Sequence, residues 1–202
     1  MIRACVFDLG NVLVYFSHER MYQQIADLCG VSAERVFDVL IGSGVQNELD
    51  CGRISDEEFH TQFTQAIGTQ VTLPDLKQAG SDIFWLNEDV IPVLASLKQS
   101  GMRLILLSNT SRAHFEFVQR KFDFLQYFDG FTLSFEVGSM KPDRTIYRDA
   151  VGKSGCHADE CFFTDDIEAN AEGARQEGLN AAVFRDVDKL RADLAQHGVT
   201  LE

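Results

Sequence analysis

Four short stretches of this sequence carry side chains able to do chemistry, and each follows or adjoins an apolar run. Asp8 ends the run 4–7 and is followed by Gly10 and Asn11; Ser108 and Asn109 end the run 104–107. Lys141 stands directly before Pro142, and Asp165 and Asp166 follow the run 161–163. Carboxylates in such places can act as nucleophiles, as proton donors or acceptors, or as hard ligands for a divalent cation. A lysine adds fixed positive charge, and serine and asparagine add hydrogen bonds. Asp, Asn, Ser and Gly are also the ordinary residues of turns after strands. What separates the two roles is convergence: four such ends on one edge of one sheet make a reaction centre.

The elements that would bring them together can be read from the pattern. The runs 4–7, 104–107, 131–135, 161–163 and 181–184 are short and apolar, as expected of strands buried on both faces of a parallel sheet. Helical stretches separate the later ones: 89–100 closed by Gly101, a stretch bearing Phe115 and Val118, one opened by Pro142 and carrying Ile146 and Ala150, and 168–177 stopped at Gly178. An amphipathic stretch with Leu190 and Leu194 follows the last strand. This alternation predicts an α/β fold with a doubly wound, Rossmann-like parallel sheet, in which the carboxyl ends of the strands share a ligand crevice. Residues 17–99 lack strand alternation. Met21, Ile25 and Leu28 form one stripe ending at Gly30, and Val36, Val39 and Leu40 form another between Ser32 and Gly42. Ser55 and Glu58 make a capping box ahead of Phe59, Phe63 and Ile67, and Pro74 opens a fourth helix. The expected organisation is a core of residues 1–15 and 88–202 with a four-helix insert over 16–87.

Composition narrows the partners. The 202 residues include 18 Lys and Arg against 31 Asp and Glu, and a net charge of −13 argues against nucleic acid or an acidic membrane surface. A small anion remains compatible where local charge or a metal favours it. Five cysteines, an odd number without close paired spacing, point to reduced thiols in the cytoplasm rather than to a disulfide scaffold or a zinc site. Asp8 interrupts the apolar N-terminal run, so neither a signal peptide nor a membrane span is expected there.

Taken in order, with a helical insert after the first, the four stretches resemble the motifs of the haloacid dehalogenase superfamily of hydrolases. The segments Phe-Asp-Leu-Gly-Asn-Val, Leu-Ser-Asn-Thr, Lys-Pro-Asp and Phe-Phe-Thr-Asp-Asp look most like the bacterial glucose-1-phosphate phosphatase branch and the amino-terminal phosphatase domain of soluble epoxide hydrolases. The insert is similar to the type-one cap of that superfamily. The resemblance implies a phosphoric monoester phosphatase acting on a small phosphorylated metabolite, with sugar phosphates among the candidates. Three carboxylates and a phosphate dianion can share an edge only with a cation between them, since each unit pair at about 3.5 Å and an effective dielectric near 20 repels by roughly 5 kcal/mol. Magnesium suits oxygen ligands that bridge to phosphate. Asp8, Asp166 and the Gly10 carbonyl are the expected direct ligands, and the resemblance implies that Asp165 holds a coordinated water. Lys141 is expected to pair with Asp8 and the phosphoryl group. Ser108, Asn109 and Asn11 would bind the phosphoryl oxygens through the hydroxyl and nearby backbone N–H groups. The implied reaction is attack of Asp8 on phosphorus, giving an aspartyl-phosphate that water hydrolyses.

The sequence departs from the superfamily at Gly10, where most of its phosphatases carry a second Asp that protonates the leaving alcohol. Either the leaving group is acidic, as an anomeric oxygen is, or a residue of the insert supplies the proton; His18 and Asp50 are the candidates. Tyr15 flanks the junction with the insert, and Arg53 follows Asp50 in a turn that can reach a second polar part of the substrate. Two other functions fit parts of the pattern. A metal-independent 2-haloacid dehalogenase would use Asp8, Ser108, Asn109 and Lys141 but has no need of Asp165 and Asp166. A catalytically silent binding module would explain Gly10 alone.

Overall fold

The computed structural model describes residues 1–201. Seven strands follow in chain order: β1 (Ala4–Phe7), β2 (Val14–Phe16), β3 (Phe84–Leu86), β4 (Arg103–Ser108), β5 (Gly130–Leu133), β6 (Cys161–Asp165) and β7 (Asn180–Val183). Every residue of β1 is fully buried, which requires a strand on each of its edges and helices over both its faces. The main sheet supplies these: it is parallel, with the order β5-β4-β1-β6-β7.

Side chains alternate between its faces. Cys5, Phe7, Leu104, Leu106 and Phe162 cluster with Leu94, Val118 and Leu194, which lie on α6 (Ile91–Gln99), α7 (Arg112–Lys121) and α11 (Val187–Gln196). Ala4, Val6, Ile105, Leu107 and Phe163 cluster instead with Ile146, Tyr147 and Ala150 of α9 (Arg144–Ser154) and Ala174 of α10 (Glu168–Gln176). The core is therefore doubly wound, and each large apolar side chain it hides contributes roughly 1.5–3 kcal/mol. Register decides what the edge displays. Phe7 lies opposite Leu106 on one side and Thr164 on the other, so Asp8, Leu107 and Asp165 emerge at one level. A slip of one residue would turn each strand's side chains to the opposite face and break that alignment.

Between β2 and β3 the chain is helical: α1 (His18–Cys29), α2 (Ala33–Phe37), α3 (Val45–Asp50), α4 (Asp56–Ile67) and α5 (Leu73–Ser81). Local signals account for most of the boundaries. Ser17 caps α1 and Gly30 ends it in a left-handed conformation; Ser55 and Glu58 form the anticipated capping box on α4; Thr72 caps α5, with a proline in its first turn.

Four expectations need correction. The insert has five helices rather than four, because the second stripe starts as α2, widens into a π-turn over Asp38–Gly42, and gives way at Gly44 to α3. The junctions with the insert are not plain connections: β2 and β3 pair antiparallel as a separate ribbon, too short at three residues each to show alternation. The run 131–135 is a strand only as far as Leu133, after which α8 (Ser134–Val137) begins. Pro142 does not open α9. Asp143 is its N-cap and accepts the Thr145 N–H, so the helix starts at Arg144, beyond a cis Lys141–Pro142 peptide. No helix of the described residues is long and apolar enough to cross a membrane.

Candidate active site

The carboxyl edge of the sheet gathers Asp8 after β1, Asp165 at the end of β6, and Asp166 beside it; these place carboxylate oxygens within 4.8 Å of one another. Lys141 enters from the loop after α8, its side chain almost wholly buried, with Nζ 2.7 Å from Asp8 Oδ1 and 2.6 Å from Asp165 Oδ2. Its third N–H reaches the Leu107 carbonyl at 3.1 Å. All three ammonium donors are thus spent inside the protein. Lys141 acts on this edge through its charge.

Asn109 explains how Lys141 is held. Its side-chain amide accepts the Lys141 N–H at 2.8 Å and donates to the Lys141 carbonyl at 3.0 Å, a two-point clamp on the backbone. The Asn109 side chain is therefore a support for Lys141, not a group open to ligand. Asn11 is committed in the same way. It adopts φ 55°, its backbone N–H donates to the Val14 carbonyl at 2.7 Å, and its amide donates to Asp166 Oδ2 at 3.0 Å. The left-handed backbone, which Asn tolerates better than most residues, turns that amide toward the last acidic pair.

The three carboxylates differ in what they have left to offer. Asp165 is fully buried and saturated: Lys141 and Asn170 reach Oδ2, while Asn170 and the Ile167 N–H reach Oδ1. Asp8 takes both Lys141 and the Leu9 N–H on Oδ1, and no donor among the described residues reaches its Oδ2. Asp166 receives only Asn11, and the Gly10 carbonyl receives no hydrogen bond from the described residues. Asp8 Oδ2, the Gly10 carbonyl and Asp166 therefore form an oxygen set with open lone pairs, the donor type a hard divalent cation takes. Charge points the same way. Burial pushes the Asp8 carboxyl up to about 7, with Lys141 opposing and Asp165 adding to the rise, so one lysine does not neutralise the site. Burial alone would lower Lys141, yet Asp8 and Asp165 hold it above its ordinary value.

Beside this edge lies a cavity of about 110 Å³. Leu9, Gly10, Ser108 and Asn109 line it from the sheet, and Phe16, His18, Ile41, Gln46 and Asp50 line it from the ribbon and insert. Ser108 is buried there, and its hydroxyl makes no hydrogen bond with the described residues, so it is free to meet a ligand oxygen. His114 of α7 closes another side, its Nε2 bonded to the Gly80 carbonyl at 3.1 Å; burial pushes it down to about 4, so the ring is neutral. Among the described residues, no lysine or arginine lines this cavity. Of the residues assigned to the insert's contribution, His18 and Asp50 are at the cavity and Tyr15 and Arg53 are not. Tyr15 packs on Trp85 on the outer side of the ribbon, and Arg53 forms an exposed ion pair with Glu48.

Sequence reasoning passed over Asn170 and gave His114 no role. Asn170 had one faint signal, a polar residue in the first turn of the helix leaving Asp165. His114 carries none, since it reaches the site only through packing of α7; Phe16, like Tyr15, is marked by its place at the junction with the insert.

Comparison with known proteins agrees with this geometry. The family model of haloacid dehalogenase-like hydrolases matches residues 2–178. A D-ribitol-5-phosphate phosphatase of Bacteroides thetaiotaomicron is 28% identical over 188 residues, covering 89% of this chain and 90% of its own. A HAD family enzyme from the same organism, solved with magnesium and inorganic phosphate, superposes with a TM-score of 0.84 at 23% identity, covering 94% of this chain and 99% of that one. A HAD-like family hydrolase of Porphyromonas gingivalis gives a TM-score of 0.82 at 25% identity, covering 98% of each chain. On the match across nearly nine-tenths of its length, together with the acidic edge and its buried lysine, this chain belongs to the haloacid dehalogenase-like hydrolases.

Proposed function

We propose that this hydrolase is a magnesium-dependent phosphatase of small phosphate monoesters whose alcohol part is uncharged and hydroxylated. The observation that carries this reading is the open oxygen set of Asp8, Gly10 and Asp166, set beside a cavity of mixed polar, aromatic and aliphatic lining in which the described residues place no lysine or arginine. A second phosphate or carboxylate on the substrate would find no counter-charge there. The similarity to a D-ribitol-5-phosphate phosphatase supports a sugar or sugar-alcohol phosphate. Residues 16–87 act in this reading as a cap over the core formed by 1–15 and 88–202.

Asp8, Asp166 and the Gly10 carbonyl would hold magnesium, and Asp165, already saturated, would act through water or through Lys141. When bound, the ion would supply positive charge to the phosphoryl oxygens and offset the acidic edge. The chain's own groups do the rest. The Asp8 carboxylate attacks phosphorus, while Lys141 and the Leu9 N–H, both on Oδ1, fix the carboxylate plane. The Ser108 hydroxyl and the N–H groups of Gly10 and Asn109, which have no acceptor among the described residues, bind the phosphoryl oxygens. Displacement of halide at carbon without a metal would leave Asp166 and its Asn11 tether without a use. Five free cysteines, four of them buried, suit a reducing compartment such as the cytoplasm.

The test is phosphate release from p-nitrophenyl phosphate and a panel of sugar, sugar-alcohol and nucleoside phosphates, with magnesium and with chelator. Expected is magnesium-dependent turnover that falls at least about a thousandfold in Asp8→Asn. Undiminished turnover in chelator, or halide release from 2-chloropropionate, would overturn the proposal.

A further inference from the structure

Expulsion of an alcohol from its phosphate ester needs a proton, because a bare alkoxide is too basic to leave. The loop after Asp8 has no side chain to give one. A Cβ built on Gly10 would lie 2.8 Å from Phe16 Cε1, so the aromatic ring already stands where a longer residue would point. The proton must come from the opposite wall, and three titratable side chains line the cavity: His18, Asp50 and His114.

Two of them are poorly suited. His114 is neutral, with Nε2 committed to the Gly80 carbonyl. His18 lies against Phe16, with ring centroids 4.9 Å apart, and stacks on Tyr22; burial lowers its basicity, and a neutral imidazole is a weak acid. Asp50 differs. It is the last residue of α3, where the helix carbonyls disfavour a carboxylate, and its one partner is Gln46, whose amide donates to Oδ1 at 2.9 Å. Burial pushes the carboxyl up to about 6, so near neutrality a useful fraction carries a proton. Its position is fixed from both sides. Gln46 holds it from one turn earlier in α3, and two residues later Gly52, at φ 65°, passes so close to the core that an added Cβ would meet the Phe135 carbonyl at 2.0 Å.

We propose that Asp50 is the acid that protonates the departing alcohol and then the base that activates water. The assignment rests on the phosphatase reading above. In the first half-reaction an Asp8 oxygen forms a bond to phosphorus, the ester P–O bond breaks with its electron pair left on the alcohol oxygen, and that oxygen takes the Asp50 proton. In the second, a water oxygen bonds to phosphorus and gives a proton to the Asp50 carboxylate. The electron pair of the Asp8–phosphorus bond returns to Asp8. Ester and water become alcohol and phosphate, and both carboxyls are restored.

The experiment compares wild type, Asp50→Asn and Asp50→Glu on aryl and primary-alkyl phosphates whose leaving alcohols span pKa about 7 to about 16. In the wild type kcat/KM should depend only shallowly on leaving-group pKa. Asp50→Asn should lose about a hundredfold or more on the best alkyl ester of the panel but less than tenfold on p-nitrophenyl phosphate, and Asp50→Glu should recover at least tenfold of the alkyl loss. Equal losses on both esters in a folded Asn variant would overturn the assignment, as would a steep dependence in the wild type, a measurement that needs no variant. A role confined to binding would raise KM and leave the slope unchanged, which also counts against it. Wild type that hydrolyses no ester in magnesium would instead overturn the phosphatase reading itself.

Discussion

Lys141→Met removes the charge at the acidic edge while keeping most of the side-chain volume. In the wild type the ammonium lies between Asp8 and Asp165. Without it, two buried carboxylates face each other with oxygens no more than 4.8 Å apart, a repulsion of about 3.5 kcal/mol at an effective dielectric near 20. Breaking a buried ion pair from one side costs about 3–5 kcal/mol by experience with other proteins, so the two routes agree on a loss near 3.5 kcal/mol. For a chain of this length a loss of about 3.5 kcal/mol lowers Tm by about 7–14 °C. The sign with pH follows from Asp8, which already sits near 7 with the lysine opposing the rise, and moves higher once the lysine is gone. A carboxyl raised in the folded state destabilises it above its ordinary titration range and ceases to do so once both states are protonated. The deficit should therefore be largest at pH 8 and shrink toward pH 5. Thermal denaturation of both proteins in chelator at the two pH values is the assay. A variant melting within about 2 °C of wild type at pH 8, or a deficit that grows on acidification, would refute the reasoning.

Asn109→Ala should cost about 2 kcal/mol for its two hydrogen bonds to the Lys141 backbone, and kcat should fall about 10- to 100-fold with little change in KM; unaltered kcat in a destabilised variant would make the clamp purely structural. Gly10→Ala should destabilise by about 1–3 kcal/mol through its contact with Phe16. Combined with Phe16→Ala in urea titrations, the sum of the two single losses should exceed the loss in the double variant by at least about 1 kcal/mol, and simple additivity would show that the ring yields freely.

The sheet was legible because its strands are buried on both faces, which leaves unbroken apolar runs such as 4–7 and 104–107. The residues at their ends were legible as a set, because polar groups that end several parallel strands converge on the one carboxyl edge of the sheet. The ribbon was not, since three residues carry no periodicity. Neither was the strand's end at Leu133: Phe135 continues the apolar run in sequence, but the backbone turns helical at Ser134, whose hydroxyl takes the Thr110 N–H and donates to the Thr110 carbonyl. Asn11 and Asn109 show a different limit. Their residue type marks them as hydrogen-bonding groups at the right edge, but only coordinates reveal that their amides are spent on Asp166 and Lys141. The contribution of the insert was half visible: Asp50 and His18 reach the cavity, while Arg53, in the same turn as Asp50, is drawn outward by Glu48.

Gly52 meets the Phe135 carbonyl main chain to main chain, with no side chain taking part on the glycine's side. The seat of the insert on the core at this point therefore encodes nothing about what the cavity accepts. A residue such as Ile41 can be exchanged during divergence without loosening that seat, so selectivity is free to drift across generations while the reacting edge stays as it is. A single methyl at Gly52, far less conspicuous than any change at the cavity, would undo the arrangement that makes such drift harmless.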